Sequence, residues 1–157
     1  ELGQDVDLMD LAEMSGDFLL PTAYKERPPK VQAMVDRFLA ADGVVFVVPE
    51  YNGSYPGAVK LFIDMLPYPQ GFDRRACAFV GLAAGEFRGL RAVEHLQQVA
   101  GYRMAHIYPR RCFIGRSYSQ FDEDGRIKDP ELDIRLKDQA RGFVEFIERV
   151  GSPVEAE

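Results

Sequence analysis

Three stretches of the chain are runs of mostly apolar residues, and between them apolar positions recur at helical spacing. Val44-Val45-Phe46-Val47-Val48 is the clearest run, every member β-branched or aromatic. A run of this kind suits a strand buried on both faces, as parallel strands are in α/β proteins. Cys77-Ala78-Phe79-Val80-Gly81-Leu82 predicts a second such strand. Met104 to Tyr108 predicts a third, with Arg110 to Ile114 either continuing it or pairing at an edge. Upstream, Val6, Leu8 and then Leu11 alternate with Asp7 and Asp10, which predicts a short half-buried strand at about residues 4–10.

The helical pattern is equally legible. Val31, Met34, Val35, Phe38 and Leu39 fall on one helix face, stopped by Asp42-Gly43. Pro56 stands at a first helical position before Val59, Phe62, Ile63 and Leu66. Leu90, Val93, Leu96 and Ala100 form the next face, ending at Gly101. Asp129-Pro130 supplies a cap and a helix-starting proline for a last helix through Leu132, Leu136, Ala140, Phe143 and Ile147 to Gly151. Ser15 to Pro29 holds three prolines and little periodicity, and reads as a long loop. Alternating apolar strands and amphipathic helices predict a doubly wound parallel sheet in a three-layer α/β/α sandwich. Nothing marks a domain boundary or a long repeat, so residues 1–157 read as a single domain.

Composition narrows the picture without redirecting it. The 157 residues are 46% hydrophobic and 28% charged, ordinary for a globular protein and unlike disordered, collagenous or coiled-coil chains. The formal charge of −6 is a poor general match for nucleic acid, whose phosphates need clustered cations. The charge is uneven: residues 51–120 carry a net +5 between acidic flanks, and eight of their nine cations are arginines. Arginine suits phosphate or carboxylate recognition, but pairing with the acidic flanks or across a subunit interface explains the excess at least as well. Cys77 and Cys112 have no close-spaced partner and read as reduced, buried thiols of a cytoplasmic protein. No apolar run approaches the roughly 20 residues of a membrane span, and the acidic start is unlike a secretory leader.

In open α/β sheets, ligands bind beyond the carboxyl ends of the strands. Two loops leave such ends here, residues 49–55 and 81–89. Asn52-Gly53 tolerates left-handed backbone, and Gly81, Gly85 and Gly89 permit close approach. Backbone N–H groups presented by such loops suit a flat heteroaromatic ring, although ordinary βα connections have the same composition.

The segment Pro49-Glu50-Tyr51-Asn52-Gly53-Ser54-Tyr55-Pro56-Gly57-Ala58-Val59-Lys60, leading into Phe62-Ile63-Asp64, resembles the signature of the NAD(P)H-dependent FMN reductases. The likeness runs from about Val6 to Val150 and includes Phe121-Asp122-Glu123-Asp124-Gly125-Arg126. That family has the flavodoxin-like fold, and its members reduce flavins, quinones, azo dyes or metal oxyanions. The resemblance implies that Pro49, Glu50, Tyr51, Asn52, Gly53 and Ser54 wrap the edge and one face of the FMN ring, with Ala83, Ala84 and Gly85 near its pyrimidine side. It implies ping-pong hydride transfer from NAD(P)H through FMN to a small-molecule electron acceptor, with no catalytic side-chain base, and a homodimer or homotetramer. A non-catalytic flavodoxin-like module that binds a nucleotide or a protein is the competing reading.

Two departures from the family pattern stand out. Residues 83–88 carry Ala83-Ala84 and bulky Glu86, Phe87 and Arg88 where the family has small hydroxyl residues and paired glycines. The family's phosphate loop, between a first strand and first helix, has no counterpart. The strand at 4–10 resembles the family's second strand, so the expectation is an N-terminally incomplete domain, with a further strand, phosphate loop and helix before Glu1. Other motifs carry less. Ser54 and Ser117 lack the glycines of a nucleophile elbow. Asp122, Asp124 and Gly125 would need a glycine at Ile127 to form an EF-hand. His95 and His106 have no metal-ligand spacing and read as structural or surface histidines.

Overall fold

The computed structural model describes residues 2–151 and 153. The order is α1 (Pro29–Ala40), β1 (Gly43–Pro49), α2 (Gly57–Met65), β2 (Ala76–Leu82), α3 (Leu90–Tyr102), β3 (His106–Ile114) and α4 (Pro130–Val150). The three strands form one parallel sheet in the order β1-β2-β3, with Val44 opposite Cys77 and Val80 opposite Cys112. The apolar runs therefore pair as their composition predicts, and β3 spans both segments left open by the sequence.

Side chains alternate between two layers of helix. Val44, Phe46, Val48, Cys77 and Phe79 face α1, α2 and α3, where Val31, Phe38, Phe62, Val93 and Leu96 complete the main core. Phe46 stacks on Phe79 at 5.5 Å between centroids and on Phe72 at 6.1 Å. The opposite face meets α4: Ala76 and Ala78 pack with Tyr108 and Phe143, and Val80, Cys112 and Ile114 pack with Leu132. The result is the flavodoxin-like three-layer arrangement. Burial pushes both thiols up, that of Cys77 to about 12.

Two arginines of the basic middle segment have structural work that charge counting does not reveal. Buried Arg75 donates to the carbonyls of Gly71, Ala41 and Leu39, tying the end of α1 to the start of β2. Arg103 donates to the carbonyls of Leu66 and Pro67 behind α2. Desolvation lowers the pKa of both, and donation to helix-end carbonyls offsets part of that cost.

The expected strand at residues 4–10 does not form, and this corrects the sequence reading. Val6 and Leu8 are 79% and 85% exposed, so the alternating pattern faces no sheet. The segment is held instead by Arg37 on α1, which makes a bidentate pair with Asp7 (2.7 and 2.9 Å) and reaches Glu13. A strand needs a ladder partner, and the free edge of β1 lies out of its pairing. The α4-side face of β1 is also uncovered: Val45 and Val47 are 49% and 62% exposed. The long loop of residues 15–29 also gains local order, in short 3-10 turns at Gly16–Leu19 and Pro21–Tyr24 that bury Phe18 and Ala23.

Candidate functional site

The 49–55 and 81–89 loops leave the carboxyl ends of the adjacent parallel strands β1 and β2, so the topology brings them side by side. The Glu50 N–H donates to the Leu82 carbonyl at 2.9 Å, the last rung of the β1–β2 ladder, and fixes where the two loops part.

The first loop is a tight turn closed on itself. The Tyr51 N–H donates to the Ser54 carbonyl at 2.8 Å, and the Ser54 N–H returns to the Tyr51 carbonyl at 3.1 Å. At its tip, Asn52 and Gly53 hold φ of +52° and +75°, the pair of left-handed residues that such a two-residue turn requires. Pro49 and Glu50 lie at its half-buried base, while Tyr51 is 61% exposed at the rim.

The second loop depends on glycine. Gly89, at φ +85°, lies so close to the strand end that an added Cβ would stand 2.5 Å from the Leu82 nitrogen and 2.8 Å from the Gly81 carbonyl carbon. Ala83 is half-buried and bonded at both ends: its N–H donates to the Ile114 carbonyl and its carbonyl accepts from Ser117. Ala84, Gly85, Glu86, Phe87 and Arg88 project into solvent.

All nine residues expected at the site therefore line one end of the sheet. Two further residues, outside those nine, meet them. Arg91 on α3 pairs with Glu50 at 3.5 Å and stacks 4.3 Å from the Phe87 ring centroid. His95, one turn on, has Nδ1 3.0 Å from the Ser54 hydroxyl. A contact between α3 and the loop 41 residues earlier has no signature in local spacing, so His95 read as an unremarkable helical histidine.

An FMN ring is a flat heterocycle with acceptors along its pyrimidine edge. Among the described residues, no hydrogen bond uses the N–H groups of Asn52, Gly53, Ala84, Gly85 or Glu86. Glu50 Oε2 is buried with no partner, an acceptor left over at the base of the same loops. These uncommitted groups at one strand end fit the ring half of the cofactor. No strand–loop–helix unit precedes α1 among the described residues to fit its phosphate. No group of acidic residues, histidines and cysteines able to hold a metal ion occurs among the described residues.

Comparison with known proteins agrees with this geometry. Residues 1–119 match the model of the NADPH-dependent FMN reductase family. An NAD(P)H-dependent FMN reductase of Pseudomonas aeruginosa is 30% identical over 126 residues, covering 78% of this chain and 68% of that protein. An NAD(P)H:quinone oxidoreductase of Solanum tuberosum is 31% identical, covering 84% of this chain and 68% of its own length. Among solved structures, the flavoenzyme NAD(P)H:(acceptor) oxidoreductase of Paracoccus denitrificans superposes with a TM-score of 0.75 at 23% identity, over 92% of this chain and 79% of that one.

Proposed function

This chain belongs to the NADPH-dependent FMN reductase family, and from that membership we infer that it is an FMN-dependent oxidoreductase that uses NAD(P)H. We propose that it passes reducing equivalents to a small-molecule acceptor of the flavin or quinone class, at the site between the 49–55 and 81–89 loops. The observation that carries this reading is the convergence of uncommitted backbone donors from both loops at the ends of adjacent parallel strands.

When bound, FMN supplies the redox chemistry, taking a hydride from NAD(P)H and yielding it to the acceptor. The chain's part is positional. Asn52 and Gly53 present N–H groups from the tip of one turn, and Ala84 and Gly85 present theirs from the other. Pro49 and Glu50 floor the site, Ser54 closes the first turn, and Ala83 anchors the second through its bonds to Ile114 and Ser117. Backbone donors on a sheet end need little reorganisation when a ring arrives.

The family relation and an open groove beside the site together support a homodimer or homotetramer. The groove, about 500 Å³, runs between α2 and α3 past Tyr55, His95, Val99 and Tyr102. Tyr102 is 80% exposed and Tyr68 is 66% exposed, aromatic surface of the kind interfaces use. The two free, buried cysteines fit a cytoplasmic protein. Among the described residues, no helix is long and apolar enough to cross a membrane.

The test is turnover. Purified protein supplied with FMN should quench flavin fluorescence and oxidise NADPH when a benzoquinone is added. Protein that binds no flavin and shows no FMN-dependent turnover would instead be a non-catalytic binding module. Sedimentation velocity reads the assembly directly, and a monomer at micromolar concentration would end the oligomer proposal.

A further inference from the structure

Arg91 and His95 stand one turn apart on the same face of α3, and both reach across to the 49–55 loop. Arg91 meets the loop at its base through Glu50, and its stem passes within 3.9 Å of where a Cβ on Gly53 would lie. His95 meets the loop at its far end through the Ser54 hydroxyl. The two attachment points bracket the left-handed Asn52-Gly53 tip. Arg91 does a second thing: its guanidinium covers the Phe87 ring, so one side chain touches both loops.

An exposed ion pair contributes little to stability. The Glu50 side chain, however, is only 11% exposed, so removing its partner leaves a mostly buried carboxylate uncompensated. Its freedom to move would then be the freedom of the loop base. Phe87, 60% exposed, has no other ring or cation contact among the described residues, and Arg91 is what gives it a fixed neighbour.

We propose that Arg91 and His95 are positioning residues that hold the flavin loops in register, His95 acting on the 49–55 loop alone and Arg91 coupling that loop to the 81–89 loop. The inference rests on the reading of these loops as the flavin site. Neither residue needs to touch the cofactor. They act through Glu50, Ser54 and Phe87, and fix where the N–H groups of both loops point.

The experiment is amide hydrogen exchange on the full chain without flavin, followed by titration with FMN. Exchange of the hydrogen-bonded amides of Tyr51 and Ser54, and of Arg88 and Leu90 about the Phe87 turn, should rise about tenfold in Arg91→Met, the scale of a lost local contact, while amides of β2 such as Phe79 and Val80 stay protected. His95→Ala should raise exchange in 51–54 only. His95→Asn, whose amide reaches the position of Nδ1, should restore it. Arg91→Lys should keep Tyr51 and Ser54 protected through Glu50 and loosen Arg88 and Leu90, because the planar stack on Phe87 is lost. FMN affinity, read by fluorescence quenching, should fall roughly in step with exchange, with the bound-flavin absorption spectrum altered in Arg91→Met.

Exchange unchanged in both loops, or raised equally in the loops and β2, would overturn the proposal. So would His95→Ala loosening both loops. If wild-type protein binds no FMN at all, the functional reading fails, and the exchange pattern still decides whether α3 couples the loops.

Discussion

The two loops at the carboxyl end of the sheet are built on opposite plans. The 49–55 turn is closed by its own paired hydrogen bonds and steadied from outside by side chains of α3. The 81–89 loop is anchored by backbone packed against backbone, with Gly81 and Gly89 in contact and Ala83 bonded to the β3 exit, and its crown of Glu86, Phe87 and Arg88 lies exposed. The first can be adjusted by exchanging one side chain, because the parts that hold it are side chains. The second tolerates almost nothing at its root, while its crown is held only by side-chain contacts such as that of Phe87 with Arg91. That contrast accounts for the departure at 86–88: bulky residues are admitted where they lie at the surface, Phe87 under the Arg91 guanidinium and the Arg88 stem against Gly115.

The strongest way to break the contrast is Gly89→Ala. The methyl would lie 2.5 Å from the Leu82 nitrogen on a backbone at φ +85°, and neither neighbour is the movable end of a side chain. The expected cost is about 3 kcal/mol, combining left-handed strain with a backbone clash, measured by urea denaturation. A loss below about 1 kcal/mol would mean the root of this loop is as adaptable as its crown.

How much of this was legible in sequence follows the range of the interactions. β1 and β2 announced themselves because burial on both faces forces continuous apolar runs such as Val44 to Val48. The Asn52-Gly53 turn was legible because its backbone demands those residue types. The segment at residues 4–10 misled because alternation records a pattern, while a strand also requires a partner, and Asp7 is taken by Arg37 instead. The basic middle segment misled in another way, since Arg75 and Arg103 spend their hydrogen bonds on main-chain carbonyls. The contacts of His95 and Arg91 with the 49–55 loop stayed hidden because they reach residues 41 positions away.

A milder probe separates the first turn's backbone from its side-chain supports. Asn52→Ala keeps every contact of Arg91 and His95 but places alanine at φ +52°, which should cost about 1 kcal/mol. Asn52→Gly should cost a few tenths at most, since glycine accepts that conformation freely. If both variants lose the same amount, the Asn52 side chain holds the turn, and its left-handed geometry is incidental.

The smallest expected effect on stability is also the sharpest test of what the second loop is for. Gly85 has no atom within 4 Å of an added Cβ, and its φ lies outside the left-handed region. Gly85→Ala should therefore change stability by no more than about 0.5 kcal/mol, and a slight gain is expected because alanine restricts the unfolded chain. The protein itself has no reason to prefer glycine there. A ring lying on the uncommitted N–H groups of Ala84 and Gly85 would have such a reason, because the methyl would enter the space the ring occupies. FMN affinity should therefore fall several-fold, about 1 kcal/mol, in a protein whose urea midpoint is unchanged. Unchanged affinity would place the flavin away from residues 83–85 and leave the 49–55 turn to hold it alone.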